Sequence, residues 1–315
     1  MAEPDLSGVV LDGRYQVIEP LAEGAMGSVY RGERVKLGRA VAIKIMHDTL
    51  PDELASRQRF EREAKLMARL DHPNCVSVID FGIHDDKPFL VMELVRGTSL
   101  LELIDKERRV EPVRAADIIR QVLSGLAHAH ELGIVHRDIK PANIMLGEKI
   151  AIGLQVRILD FGLARPPEGG TKLTTGIVVG TPNYMAPEQC KGVALDGRCD
   201  LYACGVILFE MLAGRRPFVA SDPIQVVRKQ MNEPAPRLSD VAPGDYGALE
   251  DVVARALAKP PDERYGSAQD MASAIDAALA ERRSVGHAAP RATSAPGSEV
   301  ATASGWNVPP PASQP

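Results

Sequence analysis

The chain contains 315 residues, of which 45% are apolar and 25% are charged, and its formal net charge at pH 7 is −5. This apolar content supports a buried core, whereas the acidic balance lacks the excess of Lys and Arg that binds a phosphate backbone. The composition predicts a globular protein and excludes nucleic acid as an expected partner.

The ends of the chain and its cysteines show no targeting or metal-binding pattern. Residues 1–5 are acidic, unlike a secretory signal peptide, and the long apolar run at 201–209 is far shorter than the ~20 residues that span a bilayer. The four cysteines form no CxxC pair. We therefore expect a cytoplasmic protein with reduced, buried thiols and no membrane segment.

Short runs rich in β-branched and aromatic residues predict strands early in the chain. These runs are Tyr15–Ile18, Ser28–Arg31, Val41–Lys44, Val76–Ile79 and Phe89–Met92. One helix is predicted among them at about Glu53–Leu70, because Phe60, Ala64, Met67 and Leu70 recur at helical spacing. A small sheet with one helix packed on it follows from this pattern.

After Gly97 the pattern becomes helical, starting with Ser99 and Glu102 at capping-box spacing. The later helix candidates are Ala115–Leu132, Leu201–Ala213, Ile224–Asn232, Ala248–Ala258 and Ala268–Glu281. From Ser284 onward the chain consists mainly of Ala, Pro, Ser, Gly and Thr, which predicts a disordered tail.

These patterns divide the chain into four parts. They are an N-terminal lead (1–14), a β-rich lobe (15–96), a larger, mainly helical lobe (97–283) and the tail (284–315). The predicted fold class is α+β with two lobes, and ligand sites favour the interface between such lobes.

The stretch from His136 to Asn143, with the sequence HRDIKPAN, carries groups that phosphoryl transfer needs together. Asp138 can accept a proton from an attacking hydroxyl, and Lys140 can neutralise charge on a moving phosphoryl group. Asn143 can hold a magnesium ion through its amide oxygen. The loop therefore predicts transfer of phosphate from a nucleotide.

Two earlier segments fit the binding of nucleotide phosphates. Gly24 and Gly27 lie between strand candidates, where backbone N–H groups can approach phosphate oxygens, although two glycines between strands more often form only a turn. Lys44 ends an apolar strand, and Glu63 on the following helix is its candidate ion-pair partner. A surface charge is the alternative interpretation of Glu63.

A carboxylate at the end of a later strand candidate completes the expected metal site. Asp160 follows the β-like run 156–159 and precedes Phe161 and Gly162. Together with Asn143, it would bind a metal ion that bridges the β- and γ-phosphates.

With the segment GTPNYMAPE at 180–188, the chain resembles the eukaryotic-type serine/threonine protein kinases, especially their bacterial members. The motifs stand in the family's order between Tyr15 and Arg283. The resemblance implies a bilobal protein-kinase fold, ATP with Mg²⁺ (or Mn²⁺) as cofactors, and transfer of the γ-phosphate to Ser or Thr hydroxyls of protein substrates.

The resemblance also implies roles for single residues. Lys140 marks serine/threonine specificity, Thr181 shapes the substrate floor, and Glu188 pairs with Arg264. Asp200 fixes the backbone of the His-Arg-Asp loop, with an ordinary helix N-cap as the alternative. The positions placed around adenine are the hinge residues Glu93 and Val95, next to Met92, and the side chains of Val29, Ala42 and Met145.

Arg137 implies activation by phosphorylation, because an arginine beside the base can bind a phosphate in the segment after Asp160. Thr174 and Thr175 are the leading acceptors and Thr171 the next, with solvated loop threonines as the alternative. A second copy of the chain is the expected partner for trans-autophosphorylation.

Ala22 departs from the family, which has glycine at this position of the Gly-rich loop. It supports one alternative function, a pseudokinase-like scaffold that binds nucleotide with little or no turnover. A small-molecule kinase is disfavoured, because the segment from Thr181 to Glu188 is typical of a platform for peptide substrates.

Overall fold

The computed structural model describes residues 5–24, 27–47, 54–147, 154–161 and 182–287. The first lobe contains six strands and one helix within these residues: β1 (Val10–Leu11), β2 (Tyr15–Gly24), β3 (Gly27–Arg34), β4 (Arg39–Met46), α1 (Leu54–Met67), β5 (Val78–His84) and β6 (Lys87–Glu93). The strands form one antiparallel sheet in the order β1-β2-β3-β4-β6-β5.

All five predicted strands overlap observed ones, and the fourth shows the largest difference. It was expected at Val76–Ile79 but begins only at Val78. The reason is that Val76 donates its N–H to the carbonyl of Ile158 in the second lobe, and Cys75 forms a bridge with the same residue. The short strand β1 was not predicted, because two residues carry no periodicity.

Helix α1 packs its predicted face inward. Phe60, Ala64, Met67 and Leu70 are all buried, as the spacing indicated. The helix itself ends at Met67, three residues earlier than expected, although Leu70 remains in the core. The capping box at Ser99 and Glu102 is also confirmed by the structure.

The second lobe is mainly helical. Its described helices are α2 (Leu100–Glu107), α3 (Pro112–Glu131), α4 (Pro187–Lys191), α5 (Arg198–Ala213), α6 (Pro223–Asn232), α7 (Leu238–Val241), α8 (Leu249–Ala256) and α9 (Ala268–His287). Three short strands, β7 (Gly97–Ser99), β8 (Ile144–Gly147) and β9 (Val156–Ile158), form a small antiparallel sheet beside them.

Helix α5 lies at the centre of this lobe. Nearly all of its residues are buried, so it has no polar face of its own and packs against α3, α7, α8 and α9. It begins at Arg198, with Gly197 as N-cap, three residues before the predicted start. Asp200 therefore lies inside the first turn, and the alternative interpretation of Asp200 as an N-cap is wrong.

The last helix continues beyond its predicted end at Glu281 and reaches His287. The side chain of Arg282 donates to the carbonyl of Asp245 and ties this end of the helix to the lobe. Residues 284–287, which the sequence assigned to the tail, therefore belong to this helix, and residues 288–315 lie outside the described part of the chain. No helix in the described residues is long and apolar enough to cross a membrane.

The expected thiol state agrees with the structure. Cys75, Cys190, Cys199 and Cys204 are all buried and free. Burial raises the pKa of Cys75 to about 12 and that of Cys190 to about 11, which keeps both thiols protonated at neutral pH.

The α+β prediction, a small β-rich lobe followed by a larger helical one, is confirmed.

A buried ion pair joins α4 to the end of the second lobe. The Nη1 and Nη2 atoms of Arg264 lie 2.7 and 2.8 Å from the two carboxylate oxygens of Glu188. The guanidinium also donates to the carbonyls of Ala258, Lys259 and Arg198, so that it is fully bonded away from water.

We expect Glu188→Ala to lower the free energy of unfolding by about 3–5 kcal/mol, because it leaves the Arg264 charge buried without a counter-ion. Urea denaturation measures this loss. The control is Glu61→Ala, which removes the exposed Lys65–Glu61 pair and is expected to cost less than about 1 kcal/mol. Equal effects of the two substitutions would show that the buried pair contributes nothing special.

Candidate active site between the lobes

The loop from His136 to Asn143 connects α3 to β8, and a side chain of α5 fixes its backbone. Asp200, which is 1% exposed, accepts the backbone N–H groups of His136 (2.9 Å) and Arg137 (2.8 Å). Its carboxylate also lies 2.9 Å from Nε2 of His130. A buried carboxylate needs such partners, so it holds the loop in one conformation.

The loop is strained immediately before Asp138. Arg137 has a φ of 64°, in the left-handed region that a residue with a side chain adopts only at a cost of about 1 kcal/mol or more. The surrounding bonds must offset this cost. They fix the direction in which the next side chain, Asp138, points.

His136 makes contacts within the site that the sequence did not predict. Asp138 donates its N–H to Nδ1 of His136 (3.2 Å), so Nε2 carries the proton and donates to the carbonyl of Leu159 (2.7 Å). Its ring also contacts Phe161 at 4.8 Å between centroids. The buried imidazole thus connects the loop to the residues on both sides of Asp160.

Asp138 is the meeting point of the loop's polar side chains. Its Oδ2 atom lies 2.8 Å from Nζ of Lys140 and 3.3 Å from Nδ2 of Asn143. Asn143 also donates to the backbone carbonyl of Asp138 (2.9 Å). The structure therefore brings together the three residues that the loop sequence singled out, and leaves Asp138 partly exposed for a substrate.

Lys44 contacts the second lobe and not α1. Its Nζ atom lies 3.0 Å from Oδ1 of Asp160, which has a φ of 55°. The expected Lys44–Glu63 ion pair is absent from this structure, which corrects the prediction. The spacing placed Glu63 on the inward face of α1, but spacing alone does not fix the distance between a helix and the strand beside it.

Glu63 is half-buried and has no lysine partner among the described residues. Burial raises its pKa above the ordinary value, and the positive charges of Arg59 and Arg137 oppose that shift. Glu63 is thus in the electrostatic field of the loop arginine while Lys44 is occupied by Asp160.

The positions expected to surround adenine are mostly apolar. Val29 lies opposite Lys44 on β3 and β4, and Ala42 lies opposite Met92 on β4 and β6. Val29, Ala42, Met92 and Val95 belong to one hydrophobic cluster, whereas Met145 lies on β8, half-buried between Ser99 and Arg157 in register. The structure thus brings four of the five apolar positions together in one cluster.

The hinge at Glu93 is bonded to neighbouring segments in ways that the sequence did not predict. Glu93 donates its N–H to the carbonyl of Ser77 (3.0 Å), so this N–H is already engaged within the lobe. Its side chain lies 2.7 Å from Nη1 of Arg157, which also donates to the carbonyl of Cys75. Arg157 therefore ties the hinge to the strand that leads to Asp160.

The two loop glycines differ in what they require. A side chain at Gly27 would overlap the backbone carbonyl of Ile45, so the close approach of β3 to β4 needs glycine there. Gly24 has more space. Ala22 lies in extended β2 opposite Val29 and does not have a positive φ, so glycine's freedom is not needed at that position.

Asp160 and Asn143 fit the oxygen-ligand chemistry of Mg²⁺ or Mn²⁺. The amide nitrogen of Asn143 is held by Asp138, which leaves the amide oxygen as its ligand atom. The carboxylate of Asp160 supplies the charge. Two such ligands plus phosphate oxygens are a usual set for magnesium with a nucleotide.

The residues before and within α4 lie beside the loop. A small pocket between them is lined by Asp138, Lys140, Tyr184, Met185 and Gln189. Gly162, Thr171, Thr174, Thr175 and Thr181, which the sequence also singled out, lie outside the described residues.

Comparison with known proteins gives a consistent result. A family profile described as "Protein kinase domain" matches residues 15–274. The chain is 39% identical to the serine/threonine-protein kinase pkn2 of Myxococcus xanthus over 98% of its own length, covering 38% of that protein. It is 36% identical to the serine/threonine-protein kinase PknL of Mycobacterium tuberculosis over 88% of its own length, covering 68% of that protein.

A further relative and a solved structure agree. The chain is 37% identical to the serine/threonine-protein kinase PrkC of Bacillus subtilis, over 87% of this chain and 42% of that protein. The crystal structure of the PknI kinase domain of Mycobacterium tuberculosis matches with a TM-score of 0.68 at 29% identity, over 86% of this chain and 98% of that one. The chain therefore spans less than half the length of pkn2 and PrkC.

We expect Glu63→Gln to stabilise the nucleotide-free protein at pH 7, because it removes a half-buried charge that has no lysine partner. The folded-state pKa of Glu63 is raised, so its wild-type contribution to stability is largest below the unfolded pKa and falls as pH rises. Thermal unfolding at pH 7 and pH 4 measures the difference, which should shrink at pH 4. A destabilised variant at pH 7 would contradict this account.

Proposed function

This chain belongs to the protein kinase family, within the group of bacterial serine/threonine protein kinases, and on that premise we propose that it transfers the γ-phosphate of ATP to Ser or Thr hydroxyls of proteins. The observation that carries the proposal is the cluster in which Asp138 contacts both Lys140 and Asn143. The cation and the metal ligand thus lie within hydrogen-bond distance of the carboxylate that serves as the base.

In the proposed reaction, Asp138 accepts a hydrogen bond from the acceptor hydroxyl, orients its oxygen toward the phosphorus and takes up the proton. Lys140 then turns from Asp138 to the transferring phosphoryl group, whose charge it stabilises. Bound magnesium would supply further neutralisation of the phosphates, held by Asp160 and Asn143. Lys44 would bind the α- and β-phosphates.

The ion pair between Lys44 and Asp160 suggests that the structure represents a resting arrangement. Both groups have separate roles once a nucleotide binds, and a movement of α1 that brings Glu63 to Lys44 would hold the amine at the phosphates. Ala22, on which the scaffold alternative rests, lies in extended β2 without a positive φ, which supports the kinase proposal.

The activating modification belongs to the same proposal. Phosphorylation of Thr174 or Thr175, with Thr171 next in order, by a second copy of the chain would place a phosphate within reach of Arg137. Arg137 is close enough to Glu63 to influence its pKa. A phosphate that binds Arg137 would weaken the attraction of Arg137 for Glu63 and so favour the pairing of Glu63 with Lys44, which links the modification to the nucleotide site.

We expect Asp138→Asn to lower the rate of phosphate transfer roughly 100-fold or more, because the base is lost while the side-chain shape is retained. Radiolabelled ATP, with the protein itself and casein as acceptors, measures transfer. Phosphoamino acid analysis should give phosphoserine and phosphothreonine only. The variant should still gain thermal stability from ATP with Mg²⁺, because its nucleotide contacts remain.

The matched control is Asp240→Asn, an exposed aspartate distant in sequence from the loop, which should transfer at the wild-type rate. Wild-type protein that binds ATP with Mg²⁺ but transfers nothing would overturn the kinase proposal in favour of the scaffold. Equal rates for wild type and Asp138→Asn would overturn the role of Asp138.

We expect simultaneous replacement of Thr171, Thr174 and Thr175 by Ala to lower the initial rate roughly tenfold or more, since one hydrogen bond to a charged group contributes about 1.5–3 kcal/mol. Mass spectrometry of protein incubated with ATP identifies the modified threonines. If the phosphate acts through Arg137, adding Arg137→Ala to the triple variant should cause little further loss. Unchanged rates in the triple variant would exclude this form of activation.

A further inference from the structure

Gln189 connects the catalytic loop to the segment before α4. It lies on α4 and is 6% exposed. Its Nε2 atom donates to the backbone carbonyl of Arg137 (2.8 Å), and its Oε1 atom accepts the N–H of Ala186 (2.9 Å). Both ends of the side-chain amide are therefore engaged, one on the catalytic loop and one on the segment before α4.

The bond to Arg137 acts at the strained position of the loop. The N–H of Arg137 is held by Asp200, and its carbonyl is held by Gln189. A left-handed backbone conformation persists only where the surroundings over-determine it. Two buried side chains from different helices provide that restraint, and the next residue along the chain is Asp138.

Helix α4 is a firm support for this restraint. Glu188, the residue before Gln189, forms the buried pair with Arg264. A helix of five residues has little stability of its own, so this pair fixes where Gln189 stands.

We propose that Gln189 is a positioning residue for phosphoryl transfer, which sets the orientation of Asp138 against the acceptor segment through the Arg137 carbonyl and the Ala186 N–H. The inference rests on the proposed kinase function. It adds to that function a residue outside the His-Arg-Asp loop whose loss should change turnover more than nucleotide binding.

A second buried glutamine provides a comparison. Gln230 on α6 is completely buried. Its side chain accepts a hydrogen bond from the hydroxyl of Tyr202 and donates one to the carbonyl of Asn183 (2.8 Å). Among the described residues, Gln230 therefore bonds to the segment before α4 but not to the catalytic loop. Gln225, on the same helix but exposed, is the surface control.

The experiment compares Gln189→Met, Gln189→Glu, Gln230→Met and Gln225→Met with wild type. Each is assayed with radiolabelled ATP and a Ser- or Thr-containing peptide chosen by screening the wild-type protein, well below the unfolding temperature of every variant. For each variant we would measure kcat, the KM for the peptide, the KM for ATP and the unfolding temperature.

Gln189→Met should lower kcat roughly tenfold, since a buried carbonyl and a buried N–H lose their partners, and should change the KM for ATP less than about twofold. Gln189→Glu keeps the acceptor for Ala186 but turns a carboxylate oxygen toward the Arg137 carbonyl, so kcat should fall at least as far. Gln230→Met should raise the KM for the peptide while keeping kcat, and Gln225→Met should match wild type.

Near-wild-type kcat in Gln189→Met would overturn the inference, as would a Gln189→Glu variant with full activity, because a purely structural bond to Ala186 survives there. Equal losses of kcat in Gln189→Met and Gln230→Met would overturn it as well, since the effect would then be one of general packing. A wild-type protein without transfer would overturn the proposed function itself, which separates the two failures.

Discussion

The carboxylate of Asp200 is the element on which the catalytic geometry depends. It is buried in the first turn of α5, the helix that packs at the centre of the second lobe, and accepts the N–H groups of His136 and Arg137. A buried charge with fewer partners would cost several kcal/mol, so the fold and the loop conformation are coupled. A rigid apolar helix thereby fixes the backbone that presents Asp138.

From this point the site extends across both lobes through a few bonds. His136 connects the loop to Leu159, next to Asp160, and Asp160 pairs with Lys44 of the first lobe. On the other side, Gln189 connects the loop to the segment before α4. Each connection ends on a backbone group or on a charged group assigned to phosphate or metal, so the loop is the centre of the assembly.

Sequence patterns predicted local features well because these depend on neighbouring residues. The buried face of α1 and the capping box at Ser99 and Glu102 follow from spacings of three and four residues, which a helix always brings together. The late start of β5 was missed, since residues 75 and 76 pair with Ile158 across the lobe boundary. No local pattern contains that partner.

The sequence by itself determined the order of lobes and the chemical groups of the site, because residue type fixes which atoms can act as base, cation or metal ligand. Only the tertiary structure decided which groups meet: Lys44 contacts Asp160 and not Glu63, and residues 75 and 76 pair with Ile158. These contacts join residues from different elements, and their distances depend on how whole helices and sheets pack. Packing of that kind is set by the sum of many weak contacts, which no single motif encodes.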